Sequence, residues 1–185
     1  MNRQQLIKDL NQYSTEFEEE EKFIPVFNDL LTNYKNCFSR SLAYGHVTGS
    51  GWVINSDYSK SLLVHHKKLN KWLQPGGHAD GNEDVRQVAM NEVTEETGLS
   101  SFISITESFF DVDIHLIPKH NLIPAHYHFD FRFLFVADEK DNILVSAESN
   151  DVKWFKLDEI ERMKNANPSL SRMILKTRSK TFSIL

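Results

Sequence analysis

One helix carries three glutamates along its apolar side, and this feature constrains the fold of the chain more than any other. The spacing of apolar residues predicts a helix over residues 83–97, and Gly98 supplies the left-handed position that ends it. At about 100° per residue, Glu92, Glu95 and Glu96 continue the apolar stripe. Because these carboxylates repel one another and oppose the helix dipole, something positive must meet them.

The start of this helix follows a tight loop, Pro75-Gly76-Gly77. Asp80 followed three residues later by Glu83 has the spacing of a capping box, and Asn82 is an alternative cap. Either cap places the start of the helix a few residues after the loop.

A divalent cation is the simplest partner for the three glutamates. A solvated face is the ordinary interpretation of a charge run, but it does not fit carboxylates on an apolar stripe. Carboxylates alone, without cysteine or a histidine pair on the same helix, favour a hard ion, Mg²⁺ or Mn²⁺, over zinc.

The spacing around the acids resembles the Nudix hydrolase signature, G-x5-E-x7-R-E-U-x-E-E-x-G-U, in which U is apolar. Gly77 is followed by five residues, Glu83, seven residues and the run 91–99, NEVTEETGL. Asn91 stands where the family has arginine, and the other fixed positions match. The segments WLQPGG and Asp151–Ile160 are also similar to the family, and the resemblance covers about residues 42–162.

The resemblance implies an α/β/α sandwich with a mixed sheet, and an enzyme that hydrolyses a diphosphate linkage in a nucleoside diphosphate joined to another group. Glu92, Glu95 and Glu96 would hold Mg²⁺ or Mn²⁺, and Glu92 or Glu96 would activate water. Gly77 would open the substrate loop. Glu148 is a candidate extra carboxylate of the kind that some family members use.

Asn91 leaves two interpretations open. The family arginine positions a glutamate, and Asn91 lies four residues before Glu95 but carries no charge. Either Arg132 or Arg86 supplies the missing charge, or the chain is an impaired nucleotide-binding module that keeps the fold. A prenyl diphosphate isomerase on the same fold is a third interpretation, disfavoured because no cysteine occupies a plausible catalytic position.

Residues 110–117 and 125–137 alternate apolar and polar side chains, which predicts two strands with one polar face each. A short connection favours antiparallel neighbours, whose polar faces would merge. We expect substrate contacts there from Asp113, His128 and Arg132, and from His78 after the glycine loop; an ordinary water-facing sheet is the alternative. The alternating triplet His126-x-His128-x-Asp130 also imitates a transition-metal site, although this spacing alone is weak support.

The chain divides into a helical extension over residues 1–40 and a Nudix domain over residues 41–185. The extension should contain two helices, with Pro25 in the first turn of the second and the acidic run 18–21 on a solvated face or junction. We expect these helices to cover a sheet edge or to form a homodimer contact. Strands are expected over residues 46–54 and 61–66, and an amphipathic helix with a basic tail over residues 170–180, packed on the surface.

The composition of the chain limits the classes of molecule that it is expected to bind. A net charge of −5 and a pI near 5.9 disfavour nucleic acid, and no polybasic run or long apolar stretch indicates a membrane. The chain has one cysteine, Cys37, and its polar first residues lack the apolar run of a signal peptide, so we expect a cytoplasmic protein. A small nucleotide-type diphosphate is the expected partner.

Overall fold

A computed structural model describes residues 1–120, 122–163 and 167–179. Lys180 of the predicted basic tail and Leu185 at the predicted domain end lie outside these residues. The helices are α1 (Arg3–Gln12), α2 (Glu18–Asn33), α3 (Val85–Thr97), α4 (Leu157–Glu161) and α5 (Pro168–Ser179). The strands are β1 (Gly45–Ile54), β2 (Lys60–His66), β3 (Lys71–Leu73), β4 (Gly76–His78), β5 (Phe102–Ser104), β6 (Asp111–Ile117), β7 (His126–Ala137) and β8 (Ser149–Lys156).

The strands form one mixed sheet around β1. Strand β7 runs parallel to β1 from end to end, whereas β4 and β2 share its other side as antiparallel partners. Strand β4 pairs with Thr48–Ser50, and β2 pairs with Val53 and Ile54. This branching brings the glycine loop to the middle of the molecule, next to α3. The predicted α/β class with a mixed sheet is confirmed.

Two apolar layers cover the two faces of the sheet. Val47, Phe129 and Phe131 pack in one core with α1, α2 and α3, whereas Trp52 and Leu134 pack in the other with α4 and α5. Because successive residues of a strand point to opposite faces, β1 and β7 contribute to both layers.

The N-terminal helices pack on the face of the sheet. Leu6, Leu10 and Phe27 are fully buried, and the Phe27 ring meets the rings of Phe129 and Phe131 edge-on, with centroids 5.4 and 4.7 Å away. The helices therefore cover more than a sheet edge. The dimer contact and the boundary at residue 41 stay predictions.

Two details of the extension were predicted wrongly. Helix α2 begins at Glu18, so Pro25 lies inside the helix and not in its first turn. The four glutamates that open this helix interact favourably with its dipole and account for the earlier start. Glu20 was also expected in a solvated segment, but its side chain is fully buried.

The cap of α3 also differs from the prediction. Asp84 is the N-cap, and its carboxylate accepts a 3.1 Å hydrogen bond from the backbone N–H of Gln87. Asp80 instead adopts a left-handed conformation with φ 48° and pairs with Arg40. At the other end, Gly98 has φ 74°, as predicted. In the described part of the chain, no helix has the length and apolar character needed to cross a membrane.

Candidate active site

The glycine loop lies against the glutamates of α3. The backbone N–H of Gly76 donates a 2.9 Å hydrogen bond to Oε2 of Glu96. The Glu92 carboxylate packs so closely on Gly77 that a Cβ atom at that position would overlap it. Strand β4 is fixed in this place by its pairing with β1, where Gly77 lies opposite Gly49. The loop and the glutamate helix are therefore in direct contact.

The three glutamates differ in exposure. Glu92 is half-buried and the side chain of Glu96 is 9% exposed, so both lie on the packed side of α3. Glu95 is exposed, and its predicted place on the apolar stripe was wrong. Its direction is rotated away from the centre of the stripe, which carries it to the rim of the packed surface. The cluster is therefore open to solvent at Glu95.

Burial and mutual repulsion perturb two of these acids. Burial, together with the charges of Glu95 and Glu148, raises the pKa of Glu92 to about 7. Burial also raises the pKa of Glu96 to about 7, against the opposing effect of the Gly76 N–H. Glu148, which precedes β8, thus contributes to the site electrostatically. Oxygen donors with this excess of negative charge fit a hard divalent cation.

The side chain of Asn91 does not hydrogen-bond to the glutamates, which the arginine of the family signature would position. It is exposed and accepts a 2.9 Å hydrogen bond from Nε2 of Gln87. Neither predicted substitute is at the glutamates: Arg86 donates to the carbonyls of Thr106 and Glu107, and Arg132 is buried on the opposite face of the sheet.

A different cation, Arg40, lies near the glutamates. Its positive charge lowers the pKa of Glu92, and Glu92 and Glu148 in turn help to raise the pKa of Arg40. Two hydrogen bonds, one of them 2.5 Å from Nε to Oδ1, hold the guanidinium on Asp80. The sequence gives no signal for this contact, because Arg40 precedes β1 and lies outside every motif.

The polar faces of β6 and β7 merge as predicted. The strands are antiparallel, and Asp113 lies opposite Asp130. Arg132 is fully buried between them and donates to Asp130 at 2.8 Å, to Asp113 at 3.0 Å and to Asp111 at 3.1 Å. Burial acts to raise the pKa of Asp113, but Arg132, His115 and Arg172 together outweigh it and hold the pKa well below its usual range. Substrate contacts at Asp113 and Arg132 stay predictions, and these contacts give both residues a structural role.

Helix α5 completes this ion-pair network. Arg172 donates to Asp111 at 2.8 Å, and Nζ of Lys176 donates to the same residue at 2.9 Å. Lys176 also donates to Glu20 at 2.5 Å, which explains how an acid of α2 is accommodated in the interior. The helix was predicted to pack on the surface, yet Arg172 and Lys176 are both buried.

Histidines occupy the other end of the polar face. The rings of His78 and His128, both predicted site residues, meet edge-on with centroids 4.8 Å apart. His46 of β1 contacts both rings at 5.1 Å. Burial lowers the pKa of His78 to about 4 and that of His128 to about 2, so both rings are neutral at physiological pH. Sequence analysis did not predict His46, since it lies on a different strand.

A family model described as NUDIX domain matches residues 46–176. The chain belongs to the NUDIX domain family. The match includes the glycine loop, the glutamate helix and the polar face of β6 and β7, whereas α1 and α2 precede it. The matched range contains the glutamate cluster and Asn91, and the role of the cluster as a metal site stays a prediction.

Two curated relatives share the name Nucleoside diphosphate-linked moiety X motif 6. The Xenopus laevis protein is 34% identical in an alignment of 94 residues that covers 44% of this chain and 42% of that protein. The Homo sapiens protein is 26% identical in an alignment of 141 residues that covers 69% of this chain and 40% of that protein. The chain thus spans about two fifths of the length of these relatives. A crystal structure of a NUDIX-family hydrolase from Clostridium perfringens matches with a TM-score of 0.58 and 21% identity, over 72% of this chain and 97% of that one, and supports the shared NUDIX fold.

Proposed function

We propose that this NUDIX domain is a metal-dependent pyrophosphohydrolase that cleaves the diphosphate of a nucleoside diphosphate linked to another group. The observation that carries the proposal is the placement of Glu92 and Glu96 against the loop Gly76-Gly77. A diphosphate is highly charged, and a loop without side chains lets its oxygens approach the carboxylates through an intervening cation. The name of the curated relatives supports the same substrate class.

Glu92, Glu95 and Glu96 are the residues that would hold Mg²⁺ or Mn²⁺. Their donors are all carboxylate oxygens. Burial is the main cause of the raised pKa values of Glu92 and Glu96, and the repulsion between neighbouring carboxylates adds to it. When bound, the cation would neutralise the charge that develops on the phosphate oxygens. Glu148 could add a further carboxylate from the loop before β8.

Glu92 and Glu96 are also the candidates for activating water. In the reaction, water adds to one phosphorus, the bridging P–O bond breaks, and a carboxylate accepts the proton from water. A carboxylate whose pKa lies near the working pH suits this task, and both residues have a pKa of about 7 in the metal-free protein. Arg40 would favour the ionised form of Glu92, because its positive charge lowers the pKa of that carboxylate.

The predicted substrate contacts divide by exposure. Gly77 is half-buried against the Glu92 carboxylate, and His78 and His128 are half-buried beside each other. These three positions can face a bound nucleotide. Asp113 and Arg132 are buried beneath the surface, so we propose that they position the sheet under the substrate.

An impaired nucleotide-binding module is the second candidate, favoured by Asn91. Without a guanidinium one turn before Glu95, the carboxylates keep their charge but lose one source of orientation. Such a module would bind the metal and the nucleotide and release no product.

The deciding experiment is product release from a panel of nucleotide sugars, dinucleotides and nucleoside triphosphates, with Mg²⁺ and with Mn²⁺. We expect release by the wild type, and a decrease of about 10²–10⁴-fold in Glu92→Gln and Glu96→Gln. Glu107→Gln changes an exposed glutamate outside the site and should retain full activity. Nucleotide binding without release across the panel would favour the module, and equal activity in all three variants would contradict the assigned site.

A further inference from the structure

We propose that His46, His78 and His128 form a second metal site, which takes a transition-metal ion of the zinc class. The three residues come from three different strands, β1, β4 and β7, and their ligand atoms all lie within 4.8 Å of one another. Imidazole nitrogen suits zinc, copper and nickel, whereas the carboxylates of the glutamate cluster suit Mg²⁺ and Mn²⁺. The chain would therefore carry two sites with different metal preferences.

Strand register brings the three rings together. His46 lies opposite His128 in the parallel pairing of β1 with β7, and His78 lies opposite Thr48 in the antiparallel pairing of β1 with β4. Because opposed residues and residues two apart share a face, all three side chains project from the same side of the sheet. A tetrahedral site with Zn–N bonds of about 2.0–2.1 Å requires nitrogens about 3.3 Å apart, which is a small closure from the present spacing.

Unpaired buried nitrogens are the second observation. His46 is only 3% exposed. Among the described residues, neither of its ring nitrogens has a hydrogen-bond partner. Burial lowers the pKa of His46, and the nearby Leu42 backbone opposes this shift without reaching hydrogen-bond geometry. Nε2 of His128 is buried and unpaired in the same part of the chain. Since buried polar atoms are nearly always paired, a ligand that all three rings share would satisfy them.

Two more histidines surround the site. Nδ1 of His115 lies 3.1 Å from Asp113, and Nδ1 of His126 lies 2.9 Å from the carbonyl of Pro124. Such contacts fix the tautomer of a metal-binding histidine and turn Nε2 into a free acceptor. Both rings lie within 5.4 Å of His128, measured between centroids, so either could supply a fourth ligand.

The histidine site adjoins the glycine loop. His78 directly follows Gly77, on which the Glu92 carboxylate packs. An ion that joins β4 to β1 and β7 would brace the strand that carries the loop. The same two histidines were predicted as substrate contacts, and the two roles compete because a ring nitrogen bound to a metal cannot contact a nucleotide.

Cobalt spectroscopy separates this site from the glutamate cluster. The full chain is stripped with a chelator and titrated with Co²⁺ in the presence of excess Mg²⁺, which occupies the carboxylates. Tetrahedral Co²⁺ with nitrogen ligands absorbs strongly in the visible range, whereas six-coordinate Co²⁺ with oxygen ligands absorbs weakly. We expect a strong band that saturates at one equivalent and that Zn²⁺ abolishes.

Variants assign the band to its ligands. His78→Ala and His128→Ala should weaken Co²⁺ binding by more than about tenfold. His65→Ala removes a half-buried histidine that stacks on Trp72, and should leave the band unchanged. The double variant Glu92→Gln/Glu96→Gln should also keep it. His78→Gln preserves side-chain volume and replaces His78→Ala if circular dichroism shows that the alanine variant is unfolded.

Three results would overturn the proposal. They are the absence of the band from the wild type, its persistence in folded variants of both His78 and His128, and its loss in the double glutamine variant. The last result would assign the ion to the glutamate cluster. Because product release is not measured, failure of the proposed hydrolase activity leaves this test intact.

Discussion

The backbone N–H of Gly76 donates a hydrogen bond of 2.9 Å to Oε2 of Glu96. This bond ties the last turn of α3 to the first residue of β4, and the neighbouring Gly77 leaves room for Glu92. A carboxylate that accepts a backbone hydrogen bond keeps one orientation, and burial keeps its charge poorly solvated. The loop therefore preorganises two acids whose pKa values lie far from those of ordinary glutamates.

The first prediction concerns stability in the absence of metal. Both glutamates have a folded-state pKa of about 7, above the usual 4.5, so between these values the folded state binds more protons than the unfolded state. The free energy of unfolding should therefore decrease as pH rises from about 4.5 to about 7, and these groups should add no further change above that.

Urea titrations in a chelating buffer at several pH values measure this dependence. Glu92→Gln/Glu96→Gln should flatten the decrease, because neither side chain can ionise, and Glu107→Gln should retain it. An unaltered slope in the double variant would show that other groups cause the pH dependence.

The second prediction tests the close approach of the loop. In Gly77→Ala the new Cβ atom meets the far end of the Glu92 side chain, which can rotate away, so we expect little change in stability. The displaced carboxylate should weaken Mn²⁺ binding by about tenfold or more, a loss of about 1.4 kcal/mol. Isothermal titration calorimetry with Mn²⁺ measures the effect.

Gly81→Ala is the matched control. A Cβ atom at Gly81 has no neighbour within 4 Å, but the residue has φ 90°, so alanine is strained there. This variant should lower stability by about 1 kcal/mol and leave Mn²⁺ affinity unchanged. Equal Mn²⁺ affinity in Gly77→Ala and the wild type would show that Glu92 is not a ligand of the metal.

Local spacing explains what the sequence predicts well. The helix that carries Glu92 and Glu96 ends at a glycine that must be left-handed, and the alternation along β6 and β7 determines that Asp113 and Arg132 share a face. These features depend on residues a few positions apart and on the periods of regular structure.

Long-range contacts explain what the sequence does not predict. The burial of Glu20 depends on Lys176, which lies 156 residues away, and nothing near Glu20 distinguishes it from its solvated neighbours. Arg40 reaches Glu92 only after the chain before β1 folds next to the loop. The contact of His46 with His78 likewise arises from the pairing of β1 with β4.

The third prediction concerns that buried ion pair. The side chains of Lys176 and Glu20 are 8% and 0% exposed. Removing the ammonium group would take the nearest cation from a buried carboxylate that keeps hydrogen bonds from Tyr13 and Val112 and a 3.9 Å ion pair with Arg172. Lys176→Ala should therefore lower the free energy of unfolding by about 1.5–3 kcal/mol, the range for hydrogen bonds to charged groups.

Lys22→Ala breaks an exposed pair with Glu18 and should cost about 1 kcal/mol or less. Equilibrium urea denaturation measures the free energy of unfolding of both variants. Similar decreases would show that the buried pair stabilises the fold no more than the exposed pair does.

The last prediction concerns the missing arginine at position 91. Asn91→Arg places a guanidinium four residues before Glu95, within reach of its carboxylate. If the wild type lacks only this positioning contact, turnover should rise about tenfold, equivalent to about 1.4 kcal/mol of better transition-state stabilisation. Arg132→Ala is unsuitable as a partner variant, because it would leave three aspartates around a buried cavity and test stability instead.

Arg40→Ala is the informative partner, since Arg40 is the cation that lowers the pKa of Glu92. Its loss should raise that pKa and reduce turnover, because Glu92 would be ionised in a smaller fraction of molecules near neutral pH. Arg3→Ala removes a comparable ion pair with Glu83 at the same end of the chain, and should leave turnover unchanged. If the double variant Asn91→Arg/Arg40→Ala recovers what Arg40→Ala loses, the two positions serve one role. Strictly additive effects on turnover would instead separate the positions, and a reduced reaction rate would then be the better account of Asn91.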